Sequence, residues 1–347
     1  MKLSDFDYNL DERLIAQRPI RPRDAARLLV VNKGTTNFAD KFFYNITDFL
    51  NKDDLLIIND SKVIPARLIG KKNTSGKAEI LLLEKLKNNN KENRWQAIGK
   101  GSNLNVGATI IFSPSFKAVI EDSQDGLLTL KFNCQGNIFW SRLNRYGQVP
   151  LPPYIKSVNK KLDSERYQTV YADKRDHGSV AAPTAGLHFT PRLLKALKKK
   201  GVKIERVILH VGLGTFRPIT TDDILEHKMH SEWISVKPSV IKKILKAKKN
   251  HKKVVAVGTT SLRAIESAML KPGVEKTGFS GSTNIFIYPP YKFKGVDGLI
   301  TNFHLPKSTL LLLVSALAGQ ATIKKAYQKA IKDNYRFYSY GDAMLII

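Results

Sequence analysis

Between residues 63 and 133, short apolar runs alternate with turn-forming breaks. VIPARLIGKK, AEILLLEKL, RWQAIGK, ATIIFS, FKAVIED and GLLTLKFN follow one another with no helical stretch between them. Asn88, Asn89 and Asn90 mark one break, and Asp125-Gly126 is a hairpin-type pair in another. Apolar and polar positions alternate only in part. Many short strands without helices predict a small antiparallel barrel. Residues 137–146 then read as a helix, with Asn137 as N-cap and Gly147 just past its end. The stretch VPLPPY at 149–154 cannot continue a helix and reads as a stiff connector.

Outside this segment, strands alternate with helices. Thr190-Pro191 sets an N-cap before a proline at the first helical position, and the helix runs to Gly201. The strand VKIERVILHV follows. A helix over 239–249 precedes the strand VVAV at 254–257, and another helix covers 262–270. TNIFIY and GLITNF read as further strands, and Ser308 caps the apolar helix that comes next. DLLIIND, residues 54–60, is a buried strand that joins the same sheet. The pattern predicts an α/β fold: a larger, mostly parallel α/β/α sandwich, discontinuous in sequence, with an inserted antiparallel β-barrel. The expected parts are 1–61 and 150–347 for the sandwich and 62–149 for the barrel.

Composition bounds the function. A chain of 347 residues with 42% hydrophobic and 25% charged residues is ordinary for a globular protein and long enough to bury a large core. One cysteine, Cys134, excludes an internal disulfide and fits a reducing cytoplasm. The N-terminus has early acids and no apolar core of a signal peptide. The most apolar run, 310–317, is far shorter than the roughly 20 residues a membrane helix needs. Charge is more informative. Lys+Arg 57 against Asp+Glu 30 gives +27, which suits a polyanionic partner, although lysine-rich composition bias produces the same number.

Five loops carry candidate chemistry, each beside a plainer reading. Thr184-Ala185-Gly186-Leu187-His188 is rich in small residues and leads to a helix start, where amides hold anions; it could equally be a tight loop packing a histidine. His210-Val211-Gly212-Leu213-Gly214-Thr215 follows a strand. It is not a dinucleotide fingerprint, because Arg217 and Pro218 stand where a third glycine and a helix are required. It remains a ligand loop at a strand's C-terminal end. Glu226, His227, His230 and Glu232 gather on one stretch. His227 and His230 could share a helix face, but the spacing is wrong for a zinc motif; no metal is expected, and His230 and Glu232 are better as proton-transfer groups. Gly258-Thr259-Thr260-Ser261-Leu262-Arg263 joins a strand to a helix. Amides and hydroxyls there suit a carboxylate, ribose or phosphate, with Arg263 placed in the first turn. His304 lies at the corresponding edge after the strand GLITNF. Near the end, Tyr335, Tyr338 and Tyr340 interleave with Arg336 and Asp342; such aromatics stack on unpaired bases or, more often, belong to a core. The polar loops fall at strand ends of one sheet and could converge on one cleft.

Taken in order, these stretches resemble the S-adenosylmethionine:tRNA ribosyltransferase-isomerase family of queuosine biosynthesis. The resemblance begins at DFDYNLDERLIAQRPIRPRDAARLLVV and continues through NDSKVIPARL, LPPYI, YQTVYA, GSVAAPTAGLHFT, HVGLGTFRP, EHKMHSE, AVGTTSLRAIES, NIFIYPP, LITNFHLPKSTLLLLVSALAG and YRFYSYGDAMLI. It covers essentially the whole chain and is weakest in the barrel. Where the family commonly has Thr-Arg, this chain has Ser61-Lys62. The hydroxyl and the charge persist, but the arginine's bidentate fork does not.

The resemblance implies a reaction. S-adenosylmethionine is a consumed cosubstrate, not a cofactor, and donates its ribosyl part to 7-aminomethyl-7-deazaguanine at the wobble position of tRNAs with G-U-N anticodons. Epoxyqueuosine tRNA, adenine and methionine are formed. The sulfonium acidifies the C5′ protons, so a base must reach one and an acid should assist adenine. His230, Glu232, His304 and Asp342 are the titratable candidates, with roles unassigned among them. Thr184, Ala185, Gly186, His188, His210, Gly212, Gly214, Thr215, Gly258, Thr259, Thr260 and Arg263 are the expected substrate-binding residues. Arg336 and Tyr340 are the expected tRNA contacts. A monomer in the cytoplasm, away from membranes, is expected. A conventional methyltransferase and a non-catalytic RNA-binding module are the rival readings; the first lacks its glycine-rich loop, and the second leaves the histidine-bearing loops unexplained.

Overall fold

The computed structural model describes residues 1–73, 76–86, 92–157, 159–173, 178–212, 219 and 221–347. The chain starts with β1 (Arg27–Val31), β2 (Phe38–Phe42) and β3 (Leu55–Asn59). It then enters β4 (Arg67–Lys72), β5 (Lys77–Lys85), β6 (Arg94–Lys100), β7 (Thr109–Ser113), β8 (Phe116–Gln124) and β9 (Leu127–Phe132), followed by α1 (Gly136–Tyr146). These six strands close into a barrel in the order β4-β5-β6-β9-β8-β7, every pairing antiparallel.

Alternation explains the barrel. In β9 every second residue is buried, and Leu128, Leu130 and Phe132 enter the barrel core with Trp95 and Phe116. Phe139 and Leu143 of α1 join that core. The hairpin between β8 and β9 turns on Asp125 (φ 50°) and Gly126 (φ 77°), the paired left-handed conformations of a two-residue turn that matches strand twist. The chain leaves the barrel where it entered: Arg67 and Gln148 exchange two backbone hydrogen bonds, of 3.0 and 2.8 Å. A Cβ on Gly147 would lie 2.1 Å from the Pro65 carbonyl oxygen, so only glycine fits this junction. The helix α1 starts at Gly136 with Gln135 as N-cap, two residues before the expected Asn137, and Gly136 takes the turn at φ 56°.

The second half adds α2 (Lys160–Arg166), α3 (Pro191–Lys199), β10 (Lys203–Leu209), β11 (Glu232–Val236), α4 (Pro238–Lys249), β12 (Val254–Val257), α5 (Gly258–Met269), α6 (Val274–Thr277), β13 (Phe279–Thr283), β14 (Gly298–Asn302), α7 (Thr309–Ala318), α8 (Gln320–Lys332) and β15 (Ala343–Ile346). The Thr190 hydroxyl caps α3 and the Ser308 hydroxyl caps α7, as their spacing predicts. Among the described residues, no helix is long and apolar enough to cross a membrane. TNIFIY is not a strand beyond Thr283. Its aromatics instead pack as partly buried side chains on the core.

The large sheet has the order β13-β11-β10-β3-β12-β14-β15-β1-β2. β10, β3, β12 and β14 are parallel and form its centre. β15 and β1 are parallel to each other and antiparallel to β14, and both sheet edges are antiparallel. β3 and β12 have no polar face. In β3, Leu55 and Ile57 enter one core while Leu56 and Ile58 enter the other. β12 divides in the same way, Val254 and Ala256 against Val255 and Val257. The first core is covered by apolar residues of α4, α5, α7 and α8, the second by Leu193 and Leu197 of α3 and by the turn at 43–50. Burial on both faces is why these strands read as unbroken apolar runs.

Candidate functional site

In a parallel sheet the loops after the strands open at one edge, and ligands bind there. Here β3, β10, β12 and β14 deliver Asp60, His210, Gly258 and Phe303 to that edge. A crevice forms between the 182–185 turn, the start of α5, the 301–305 loop and the 338–339 turn. Thr184, Ala185, Gly258, Thr259, Thr260 and His304 line it, together with Tyr154, Asn302 and Tyr338.

The helix α5 begins at Gly258, four residues earlier than its apolar pattern suggests. Gly258 takes φ 85°, where other residues are strained. The amides of the first turn therefore open on the crevice, a site suited to negative charge. The Ser261 hydroxyl is taken up by the Val257 carbonyl at 2.7 Å, while the buried Thr260 hydroxyl has no partner. Arg263 is consequently in the second turn, not the first. It is buried and ion-paired with buried Glu232 at the start of β11. The other Glu232 oxygen accepts the Gly212 amide at 3.2 Å. Among the described residues, Arg263 Nε and one Nη are buried without an acceptor. An unmet buried donor costs about 1–3 kcal/mol, so an acceptor arriving here is favoured. At Gly212 a Cβ would meet none of the described residues within 4 Å.

His304 Nε2 lies 2.8 Å from the Thr301 hydroxyl. Its backbone is held from both sides: the carbonyl accepts from the Tyr8 hydroxyl, and the amide donates to the Tyr327 hydroxyl at 2.9 Å. His188 stacks on Phe43, centroids 4.9 Å apart, and its Nε2 lies 3.2 Å from the Asn302 amide nitrogen. Asn302 also donates to the Tyr338 carbonyl at 3.1 Å and accepts from the Thr184 hydroxyl at 3.0 Å. It thereby joins three sides of the crevice. Burial pushes His188 down to about 4 and His304 down to about 3, so both imidazoles are neutral at neutral pH.

These shifts have a consequence for stability. Above about pH 6.5 both histidines are neutral whether folded or unfolded. Below it the unfolded chain binds protons that the folded chain refuses, so stability falls. The loss continues until the folded groups titrate near 4 and 3. The slope is about 1.4 kcal/mol per pH unit for each such histidine. Urea unfolding of His188→Gln between pH 6.5 and 4 should show a shallower decline than wild type. Equal slopes would mean that His188 is not buried in its neutral form.

Other expected site residues lie elsewhere. His230 is exposed and outside the crevice lining, and neither it nor His227 is on a helix; His227 packs edge-on against Phe286. His210 is half-buried against Trp233, its ring so close to Gly178 that a Cβ there would lie 2.1 Å away. Gly186 packs against Tyr171: a Cβ would sit 2.0 Å from the Tyr171 hydroxyl. Asp342 is corrected as a proton-transfer candidate. Its buried carboxylate accepts from the Arg27 and Arg336 amides, at 3.0 and 2.8 Å, and from the Arg336 guanidinium, so it clamps the 336–342 turn to β1. Tyr340 is corrected as a stacking residue. Its ring is buried edge-on to Tyr167, with no face for a base. Arg336 is partly exposed beside Asp342. Gly214 and Thr215 lie outside the described residues. Among the described residues, no group of three or more His, Cys, Asp or Glu is arranged to hold a metal.

The sequence reading singled out neither Asn302 nor Tyr154, and took Tyr338 only as one of the C-terminal aromatics. A polar residue ending an otherwise apolar strand was the available signal for Asn302. Tyr154 belongs to the proline connector, yet its hydroxyl bonds Ser339 at 2.8 Å and its ring lines the crevice.

Comparison with known proteins agrees with this architecture. Residues 3–346 match the family described as queuosine biosynthesis protein. The S-adenosylmethionine:tRNA ribosyltransferase-isomerase of Thermosipho melanesiensis is 51% identical, with 100% of both chains covered. The protein of that name from Desulfitobacterium hafniense is 48% identical over the same share of each chain. The crystal structure of S-adenosylmethionine tRNA ribosyltransferase from Thermotoga maritima superposes with a TM-score of 0.56 at 35% identity, covering 99% of this chain and 100% of that one. From residue 3 to residue 346, through sandwich and barrel alike, the chain belongs to the queuosine biosynthesis protein family.

Proposed function

We propose that the protein is an S-adenosylmethionine:tRNA ribosyltransferase-isomerase. It transfers and isomerises the ribosyl part of S-adenosylmethionine onto the aminomethyl group of 7-aminomethyl-7-deazaguanine at the tRNA wobble position. Epoxyqueuosine tRNA, adenine and methionine are the products. One observation carries the assignment of the site: a neutral histidine, His304, shares a crevice with the N-terminal amides of α5, and Arg263 of that helix keeps unmet donors.

The chemistry follows from these groups. His304 lies in the crevice with its ring neutral and is assigned as the base for a C5′ proton of the sulfonium on its position. Loss of that proton leads to departure of adenine. The amine of the modified base then attacks, and methionine leaves as the epoxide closes. The α5 amides and the Arg263 fork suit the carboxylate of the methionyl part. Glu232 holds Arg263 in place and Asn302 holds the crevice walls together. We further infer a monomer acting in the cytoplasm on tRNAs with G-U-N anticodons; the single cysteine supports the compartment.

The test is to incubate the protein with S-adenosylmethionine and tRNA bearing the aminomethyl-deazaguanine. Adenine and methionine should appear in equal amounts, and only with the modified tRNA. Release of S-adenosylhomocysteine would instead identify a methyltransferase. The net charge of +27 also predicts that tRNA affinity falls steeply with salt.

A further inference from the structure

We infer that Phe42 and Tyr44 form a platform on which an unpaired base of the anticodon loop stacks, beside the crevice that takes the wobble base. The inference rests on the proposed action on tRNA. Among the described residues, these are the aromatic side chains that stand exposed, at 46% and 42%. They are not splayed apart. Their rings stack on each other with centroids 5.4 Å apart and planes 15° apart. A flat, wet, preformed aromatic surface is what a base of any identity can lie on.

The sheet register puts this platform at the same edge as the crevice. Asn302 pairs with Ala343, Ala343 with Leu28, and the next residue, Arg27, with Phe42. Three strand spacings of about 4.8 Å separate β14 from β2, roughly 14 Å in all. A short run of unpaired nucleotides spans that distance. The two places are also joined through the protein. Phe43, between the two exposed rings, points inward and stacks on His188, which lies 3.2 Å from Asn302 in the crevice wall.

Charge selects a nucleic acid as the occupant. Lys41, beside Phe42, is exposed and has no ion-pair partner among the described residues. Arg21 is likewise exposed and unpaired, on the segment whose Ala26 carbonyl accepts the Phe43 amide at 2.8 Å. Two aromatic rings are too small an apolar area for a protein interface but sufficient for one or two bases, and the net charge of +27 favours a polyanion.

The probe is an anticodon stem-loop RNA carrying 2-aminopurine at the nucleotides that flank the wobble position. Wild-type protein should change the fluorescence of one of them by stacking. The double variant Phe42→Ser, Tyr44→Ser should bind the stem-loop about tenfold more weakly, the size of one lost base–aromatic stack, and should raise KM for tRNA by a similar factor. Phe42→Trp should retain both. Wild-type affinity in the double variant, a lowered kcat with unchanged KM, or a change of oligomeric state in sedimentation would each overturn the platform. Failure of the wild-type protein to bind the stem-loop is a different result, because then the tRNA reading falls and the platform with it. If the double variant does not fold, the wild-type fluorescence at each flanking position decides the matter by itself.

Discussion

Arg263→Ala should lower the free energy of unfolding by about 3–5 kcal/mol, because it leaves Glu232 buried without its cation. The Gly212 amide also donates to this carboxylate, and a neutral donor does not replace a charge. By contrast, a surface pair such as Lys243–Glu205 contributes under about 1 kcal/mol. Urea denaturation with a clear two-state transition measures the difference. The double variant Arg263→Met, Glu232→Leu separates structure from function. Replacing both charges by apolar groups should recover most of the stability. It should not recover affinity for S-adenosylmethionine, because the guanidinium fork and its unmet donors are gone. A single variant within about 1 kcal/mol of wild type would contradict the burial of this pair. A double variant that binds S-adenosylmethionine normally would remove Arg263 from the substrate site.

His304→Gln should reduce kcat by about 10²–10⁴, the usual loss for a general base, with tRNA affinity unchanged. Glutamine keeps a side-chain partner for the Thr301 hydroxyl but cannot accept the proton. The histidine is held in place for this work because its backbone is gripped by Tyr8 and Tyr327. Tyr327→Phe removes one grip and leaves the imidazole intact. It should therefore lower kcat by a smaller factor and leave the acid limb of the pH profile in place. Full activity in His304→Gln would reassign the base.

Some of this was legible from local pattern. The apolar runs of β3 and β12 predict strands buried on both faces, and they are. Thr190 and Ser308 are caps at the expected positions, and Asp125-Gly126 turns the expected hairpin. These signals act within a few residues: backbone sterics, side-chain capping and a period of two. The loops after β12 and β14 were also read as parts of one cleft, because parallel strands place such loops at one edge.

Pairing across the sheet was not legible. Nothing near Glu232 in the sequence indicates that its carboxylate meets Arg263, 31 residues on, across the join of β11 and α5. Asp342 and Tyr340 have the residue types of a site, yet one is saturated by three donors and the other is enclosed. Phe42 and Tyr44 carry no local signal of exposure; the end of the edge strand β2 and the turn that follows it leave them outward. The low pKa values of His188 and His304 likewise come from what surrounds them. The sequence by itself determined the central strands β3 and β12, the capped helices α3 and α7, the barrel inserted in an α/β sheet, and the family. Tertiary structure alone decided which polar groups are buried, paired or open, because burial and pairing depend on sheet order, and that order brings residue 59 beside residue 207 and residue 28 beside residue 343.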